Sequence, residues 1–354
     1  MVCSQKGQGS KMSVCLRMKK KREARDEASF IKNGSMLMQE LISFCNGKCN
    51  PIRNFTTKEI ERVTNNYDTL SLCLARDCRL YKGFLQDRPV FVKKFGGEFV
   101  VHQFVVNSIV IGSRMSVHKN VLRLIGCCLE AQTPILVHEF AENGSLESSL
   151  CSSRGTHRQP LAWKCRLRIA MDIANVVAYL HTAFSRPIIH RDIRAASILL
   201  DKHNVAKLSD FSLCISIPDG ESHVKDVVRG RIGYIAPEYL NTGFVNEKVD
   251  VFAFGMLLFV LLIGQRWFCE DEHANVDSFV LSNLEGLDLE NSLLSEVVDP
   301  SILEEEGWPG KEQQLQDLAA LAFKCTNKKA EDRPMMMEVA KQLRQIDRQV
   351  IGAR

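Results

Sequence analysis

His190-Arg191-Asp192 stands near the middle of the chain, and eighteen residues beyond Asp192 comes Asp210, within Ser209-Asp210-Phe211-Ser212. Working outward, Gly233-Tyr234-Ile235-Ala236-Pro237-Glu238 follows, then Asp250 at the head of an apolar stretch, then Arg333-Pro334 near the end. Upstream, Lys93 closes the short apolar run Val90-Phe91-Val92, which Asp87-Arg88-Pro89 bounds. Any one of these groups is common by itself. Their order and spacing carry the information.

The flanking pattern says what these groups sit on. Val121 to Leu129 and Ile135 to Phe140 read as strands, and about His102 to Met115 reads as a helix among the strand segments. Further along, Trp163, Leu167, Ala170, Ala174, Val177 and Leu180 share one helical face. Glu247 to Ile263 is nearly all apolar, which implies a helix buried on every side. Ala319 to Cys325 and Met335 to Ile346 are the last helices expected. Before the strands, Phe30 to Phe44 reads as a short amphipathic helix ended by Asn46-Gly47, and Thr57 to Val63 as a second one capped by Thr56 or Thr57. The predicted fold is α+β and bilobal: a small β-rich lobe with one helix, then a large α-helical lobe, joined near Glu139 to Asn143.

Composition agrees. A chain of 354 residues with 45% hydrophobic and 25% charged residues can build a large core, which excludes a disordered chain, a collagen-like repeat and a small disulfide scaffold. The net charge of +4 is uneven: residues 1–25 hold +7, leaving −3 for the rest. The body is not a basic nucleic-acid binder. The thirteen cysteines are scattered, Cys45 and Cys49 lack partners at zinc spacing, and no signal peptide is read, so reduced thiols in a cytoplasmic protein are expected. The apolar run Val251 to Ile263 is short of the ~20 residues that span a bilayer.

These groups, in order over about 240 residues, resemble the protein kinase signature set. Leu124-Ile125-Gly126-Cys127-Cys128-Leu129-Glu130, Leu180-His181, Gly233-Tyr234 and Arg333-Pro334 resemble plant receptor-like kinases. The segment from Phe30 to Ile60 (FIKNGSMLMQELISFCNGKCNPIRNFTTKEI), followed by Thr64-Asn65-Asn66-Tyr67-Asp68, resembles the ZRK family of plant receptor-like cytoplasmic kinases, which contains non-functional pseudokinases of effector-triggered immunity. The domain reading that follows has a basic disordered arm over 1–28 and a helical extension over 29–65. A kinase-like domain spans 66–346, with lobes 66–141 and 142–346, and a tail covers 347–354.

The resemblance assigns roles residue by residue. Lys93 would meet the α- and β-phosphates of ATP, with Glu139 and Phe140 also at the nucleotide. Asp192 stands at the catalytic base position, Arg194 at the loop lysine, and Asp210 and Ser197 at the magnesium ligands. A purely structural role for Asp192, bonding its own loop, stays open. Glu238 with Arg333, and Asp250 beneath His190-Arg191, are expected to hold the scaffold.

Several parts depart from the pattern. The glycines of the phosphate-covering loop are Cys73, Ala75 and Cys78, and no glycine occurs between Gly47 and Gly83. Glycine lets backbone N–H groups approach phosphate without a Cβ in the way. The helix glutamate that pairs with Lys93 is Ser108, and Glu98 is too near in sequence to substitute. The catalytic-loop asparagine is Ser197, and the glycine after Asp210-Phe211 is Ser212. Arg231 occupies a position where plant kinases usually carry threonine.

Two function classes follow. One is a pseudokinase adaptor between a coiled-coil NLR immune receptor and effector-modified receptor-like cytoplasmic kinases, which would meet the segment Asp210 to Glu238. The other is a weakly active serine/threonine kinase using ATP and Mg2+. A third expectation is peripheral contact with the plasma membrane through the basic arm, aided by acylation of Cys3. Val2 excludes glycine myristoylation.

Overall fold

The computed structural model describes residues 7–45, 52–68, 70–75, 78–96, 102–151, 160–264, 297–307 and 310–349. Cys3, Cys49 and Glu98 lie outside them. The chain forms two compact units, Met1–Ser116 with Arg123–Phe140, and Val117–Leu122 with Ala141–Arg354.

The first unit is built on a six-stranded sheet in the order β1-β5-β6-β4-β3-β2. Its strands are β1 (Arg53–Asn54), β2 (Leu70–Ala75), β3 (Cys78–Leu85), β4 (Arg88–Phe95), β5 (Leu124–Cys128) and β6 (Ile135–Glu139). Its helices are α1 (Gly7–Cys45), α2 (Thr57–Val63) and α3 (His102–Met115). Strand alternation sends neighbouring side chains to opposite faces. Val90, Val92 and Val137 pack with Phe55 and Ile60 in one core cluster. Leu136, Leu124 and Cys127 pack in another with Val105, Val106, Ile109 and Val110 of α3 and Leu37 of α1.

One expectation is corrected here. The stretch 1–28, read as a disordered arm, is helical from Gly7, and α1 continues unbroken through Phe30 to Cys45. Apolar periodicity is not the only thing that makes a helix: Lys, Arg, Glu, Met and Ala all favour it, and side-chain pairs add support. Arg22 sits 3.8 Å from Asp26 one turn on and donates to Glu61 of α2 at 2.6 Å. The helical extension read over 29–65 holds the end of α1 and all of α2, and it lies in the first unit. Asn33 donates to the carbonyls of Leu129 and Ala131 at 2.8 and 2.9 Å. β1 lies parallel to β5, so close that a Cβ on Gly126 would stand 2.1 Å from the Arg53 carbonyl oxygen. α2 starts on Thr56, whose hydroxyl caps Glu59 N–H while the Glu59 carboxylate returns to Thr56 N–H.

The second unit is mainly helical. It contains β7 (Gly144–Ser145), α4 (Leu146–Leu150), α5 (Trp163–Thr182), β8 (Ile188–Ile189), β9 (Ile198–Leu200) and β10 (Ala206–Leu208). Then come β11 (Ile215–Ser216), β12 (Val224–Lys225), α6 (Pro237–Thr242), β13 (Phe244–Val245) and α7 (Glu247–Ile263). The last described helices are α8 (Pro300–Leu303), α9 (Lys311–Cys325) and α10 (Met336–Arg348). α7 is buried from Val249 to Ile263, as its unrelieved apolar sequence requires. The run Val121 to Leu129 is not one strand: Val121 bridges to Leu208 in the second unit, while Leu124–Cys128 is β5 of the first. Among the described residues no helix is long and apolar enough to cross a membrane.

Arg333, fully buried, donates from Nη1 and Nη2 to the two carboxylate oxygens of Glu238 at 2.6 and 2.8 Å. It also donates to the Asn327 and Lys248 carbonyls, and Lys248 Nζ donates to the Arg333 carbonyl. Removing one member of such a pair leaves a buried charge uncompensated. Glu238→Ala is expected to lower stability by about 3–5 kcal/mol in chemical denaturation, at an unchanged denaturant slope.

Candidate functional site

In the second unit the site begins with Asp250, in the first turn of α7 and wholly buried. Its Oδ2 accepts from His190 N–H at 2.7 Å and its Oδ1 from Arg191 N–H at 2.8 Å. His181 Nε2 of α5 lies 2.9 Å from Oδ2. Burial alone would push this carboxyl up, but His181 and the His190 N–H more than reverse it and hold it below the usual range. The loop from His190 is thereby fixed from beneath, with Arg191 in the left-handed region at φ +67°. The His190 ring meets the Phe211 ring edge-on at 5.4 Å, and His190 Nε2 lies 3.2 Å from the Ser209 carbonyl.

On that base the loop closes on itself. Arg194 Nε donates to Asp192 Oδ1 at 2.9 Å. Burial pushes the Asp192 carboxyl above its usual range, against the pull of Arg194. Ser197 Oγ lies 2.7 Å from the Asp192 carbonyl and 2.9 Å from that of Arg194, and accepts from Arg194 N–H at 3.1 Å. Asp210 is left-handed at φ +64°, and its Oδ1 accepts from the Ser212 hydroxyl at 2.6 Å.

This donor set does not fit a pair of magnesium ions. Magnesium wants several oxygens in octahedral array, mostly carboxylate, phosphate and water. The Ser197 hydroxyl is engaged by its own loop's backbone. Ser212, where glycine is the family pattern, places a hydroxyl on the carboxylate of Asp210. Among the described residues no group of three His, Cys, Asp or Glu side chains could hold a metal ion.

In the first unit, Lys93 near the end of β4 is buried, with Nζ 4.8 Å from the Phe95 ring centroid. Ser108 is also buried, on α3, and its hydroxyl has no hydrogen-bond partner, so it does not hold Lys93. β2 and β3 pair as a hairpin up to Ala75 opposite Cys78, and Cys78 is itself buried. Glu139 and Phe140, expected at the nucleotide, are engaged inside this unit. Glu139 exchanges hydrogen bonds with the backbone of Arg123, and the Phe140 ring lies 4.5 Å from Phe91 and 4.9 Å from Lys82 Nζ. Cys127 and Cys128 are free thiols pushed up by burial to about 12 and about 11, which keeps them unreactive.

Comparison with known proteins decides the family. The profile of the protein tyrosine and serine/threonine kinase family matches residues 78–343. The chain belongs to the protein kinase family. It is 40% identical to the serine/threonine-protein kinase ZRK1 of Arabidopsis thaliana, over 92% of this chain and 95% of that one. It is 38% identical to the non-functional pseudokinase ZED1 of the same plant, over 90% of this chain and 96% of that one. Its place is thus in the ZRK group of kinases. Protein kinase domains generally bind ATP and Mg2+.

Sequence reading missed two contacts. One is the Ser212 hydroxyl on Asp210. The other is Asp226, which lies thirty-five residues from Arg191 yet accepts from its Nη1 at 2.6 Å. The change from glycine to Ser212 is visible in the sequence, but nothing there marks Asp226 apart from other acids of its segment.

The buried acids set a pH dependence. Burial raises Asp250 and Asp299, but their partners outweigh it, and both are held below their ordinary 3.8; for Asp299 the main partner is Arg166 at 2.7 Å. The unfolded chain takes protons first, so their stabilisation is complete above about pH 4 and is lost as pH falls through the depressed values. Asp192 works the other way, since its raised value favours a protonated fold. The stability difference between wild type and Asp250→Asn is expected to be largest near pH 7 and to shrink toward about pH 3 in denaturation curves.

Proposed function

We propose that this kinase-family chain acts as a pseudokinase adaptor in plant innate immunity, binding proteins rather than transferring phosphate. The observation that carries the reading is Ser197: it stands at a metal-ligand position, and its hydroxyl is taken up by the backbone of its own loop. Phosphoryl transfer depends on positioning and charge neutralisation, and one lost charge-stabilising group costs roughly 10²–10³ in rate. Here Ser108, Ser197 and the β2–β3 hairpin, with Cys73, Ala75 and Cys78 in place of glycines, touch separate parts of that machinery. ATP binding is correspondingly weak or absent. The scaffold contacts of Glu238, Arg333 and Asp250 are meanwhile complete.

The partners in this reading are a coiled-coil NLR immune receptor on one face and effector-modified receptor-like cytoplasmic kinases on the activation segment, Asp210 to Glu238. Exposed Val227 and Ile232 in that segment, with Leu240 and Phe244 just after it, supply apolar area for such a partner. The names of the relatives divide between kinase and non-functional pseudokinase, so the family alone does not choose.

The alternative, a weakly active serine/threonine kinase, rests on the retained Lys93, Asp192 and Asp210. Purified chain with magnesium and ATP is expected to transfer phosphate at least about 10⁴-fold more slowly than the roughly 1–100 per second of working kinases, with Asp192→Asn indistinguishable from wild type. Transfer that Asp192→Asn abolishes would establish the enzyme instead. Ile232→Glu is expected to weaken capture of a receptor-like cytoplasmic kinase by about tenfold or more in a binding titration, leaving receptor binding unchanged.

A further inference from the structure

We infer that Asp226 is a built-in substitute for a phosphorylated residue, keeping the activation segment ordered without any modification of the chain. In kinases whose activation loop is ordered by phosphorylation, the new phosphoryl group pairs with arginine. Here the arginine is Arg191, whose side chain is 3% exposed. A guanidinium so deeply placed needs an anion. Its Nη1 donates to Asp226 Oδ2 at 2.6 Å, and its Nε donates to the Leu213 carbonyl at 2.6 Å. The carboxylate brings one negative charge where a phosphate would bring about 1.5 to 2. Partial burial works against that charge, and the hydrogen bond from Arg191 outweighs it.

The backbone around Asp226 is fixed by contacts of its own. Asp226 N–H donates to the Gly243 carbonyl at 2.9 Å, and β12 pairs with β13 through Val224 opposite Val245 and Lys225 opposite Phe244. Gly243 is left-handed at φ +71°, and a Cβ there would stand 2.9 Å from the Asp226 carbonyl oxygen. The Tyr239 hydroxyl accepts from Arg229 N–H at 2.9 Å and donates to the Val227 carbonyl at 3.0 Å. The same hydroxyl lies 3.3 Å from Arg191 Nη1. Residues 224–229 are thus held from both sides, and the ion pair is the charged centre of the arrangement. Only the consequence, a partner surface set in advance, rests on the adaptor reading; the ordering does not.

Hydrogen exchange on the full chain, with intact mass verifying that it carries no phosphate, tests the assignment. Peptides covering 222–233 are expected to exchange slowly in wild type and about tenfold or more faster in Asp226→Asn, with α7 unchanged and with Asp226→Glu retaining most of the protection. Wild-type exchange in Asp226→Asn would overturn the proposal. So would a segment that exchanges freely in the unmodified wild type, or loss of α7 protection together with the segment, which would make Asp226 a support of the whole unit. If the segment is protected as expected but captures no receptor-like cytoplasmic kinase, the adaptor reading fails while the role of Asp226 stands.

Discussion

A carboxylate with no exposure to water has to be satisfied by the protein, and Asp250 is satisfied by the backbone it organises. Its two oxygens take the N–H groups of His190 and Arg191, and His181 completes the set. From that anchor the second unit is laid out in both directions. His190 meets Phe211 and the Ser209 carbonyl, and Arg191 reaches Leu213 and Asp226. A loop held this way keeps its shape whether or not chemistry occurs on it.

That independence explains how scaffold and chemistry can part company within one fold. The contacts around Asp250 and between Glu238 and Arg333 are complete, and leaving either half made costs several kcal/mol of a small total stability. The contacts that would meet phosphate and metal carry no such penalty when altered. Ser197 and Ser212 fold their hydroxyls into local hydrogen bonds. The Asp192–Arg194 pair keeps its charges, with the acid at the base position matched by a cation two residues away. The chain is similar both to proteins named as kinases and to proteins named as non-functional pseudokinases.

The N-terminal region carries a related lesson. Its basic residues read as a solvated arm because they lack an apolar stripe, yet they form one helix with the segment that does have one. Leu37 joins the core and Asn33 ties two carbonyls, so the apolar half anchors the polar half. The sheet then gains β1 at its edge only because Gly126 leaves room for the Arg53 carbonyl.

The amino-acid order by itself determined the fold family, the main helices, a few of the strands, a cap at Thr56 or Thr57, and which catalytic positions carry unusual residues. These are local or register-based features: hydrophobic period, cap chemistry and the spacing of Lys93, Asp192, Asp210, Glu238 and Arg333. Only the tertiary structure decided the reach of α1, the split of the Val121 to Leu129 run between two units, the use made of the Ser197 hydroxyl, and the partner of Arg191. For Arg191 and Asp226 the reason is distance along the chain, thirty-five residues. For Ser197 it is loop conformation, since the hydroxyl turns onto the backbone of its own loop only once that loop is held in place, and hydrogen bonds form within about 3 Å.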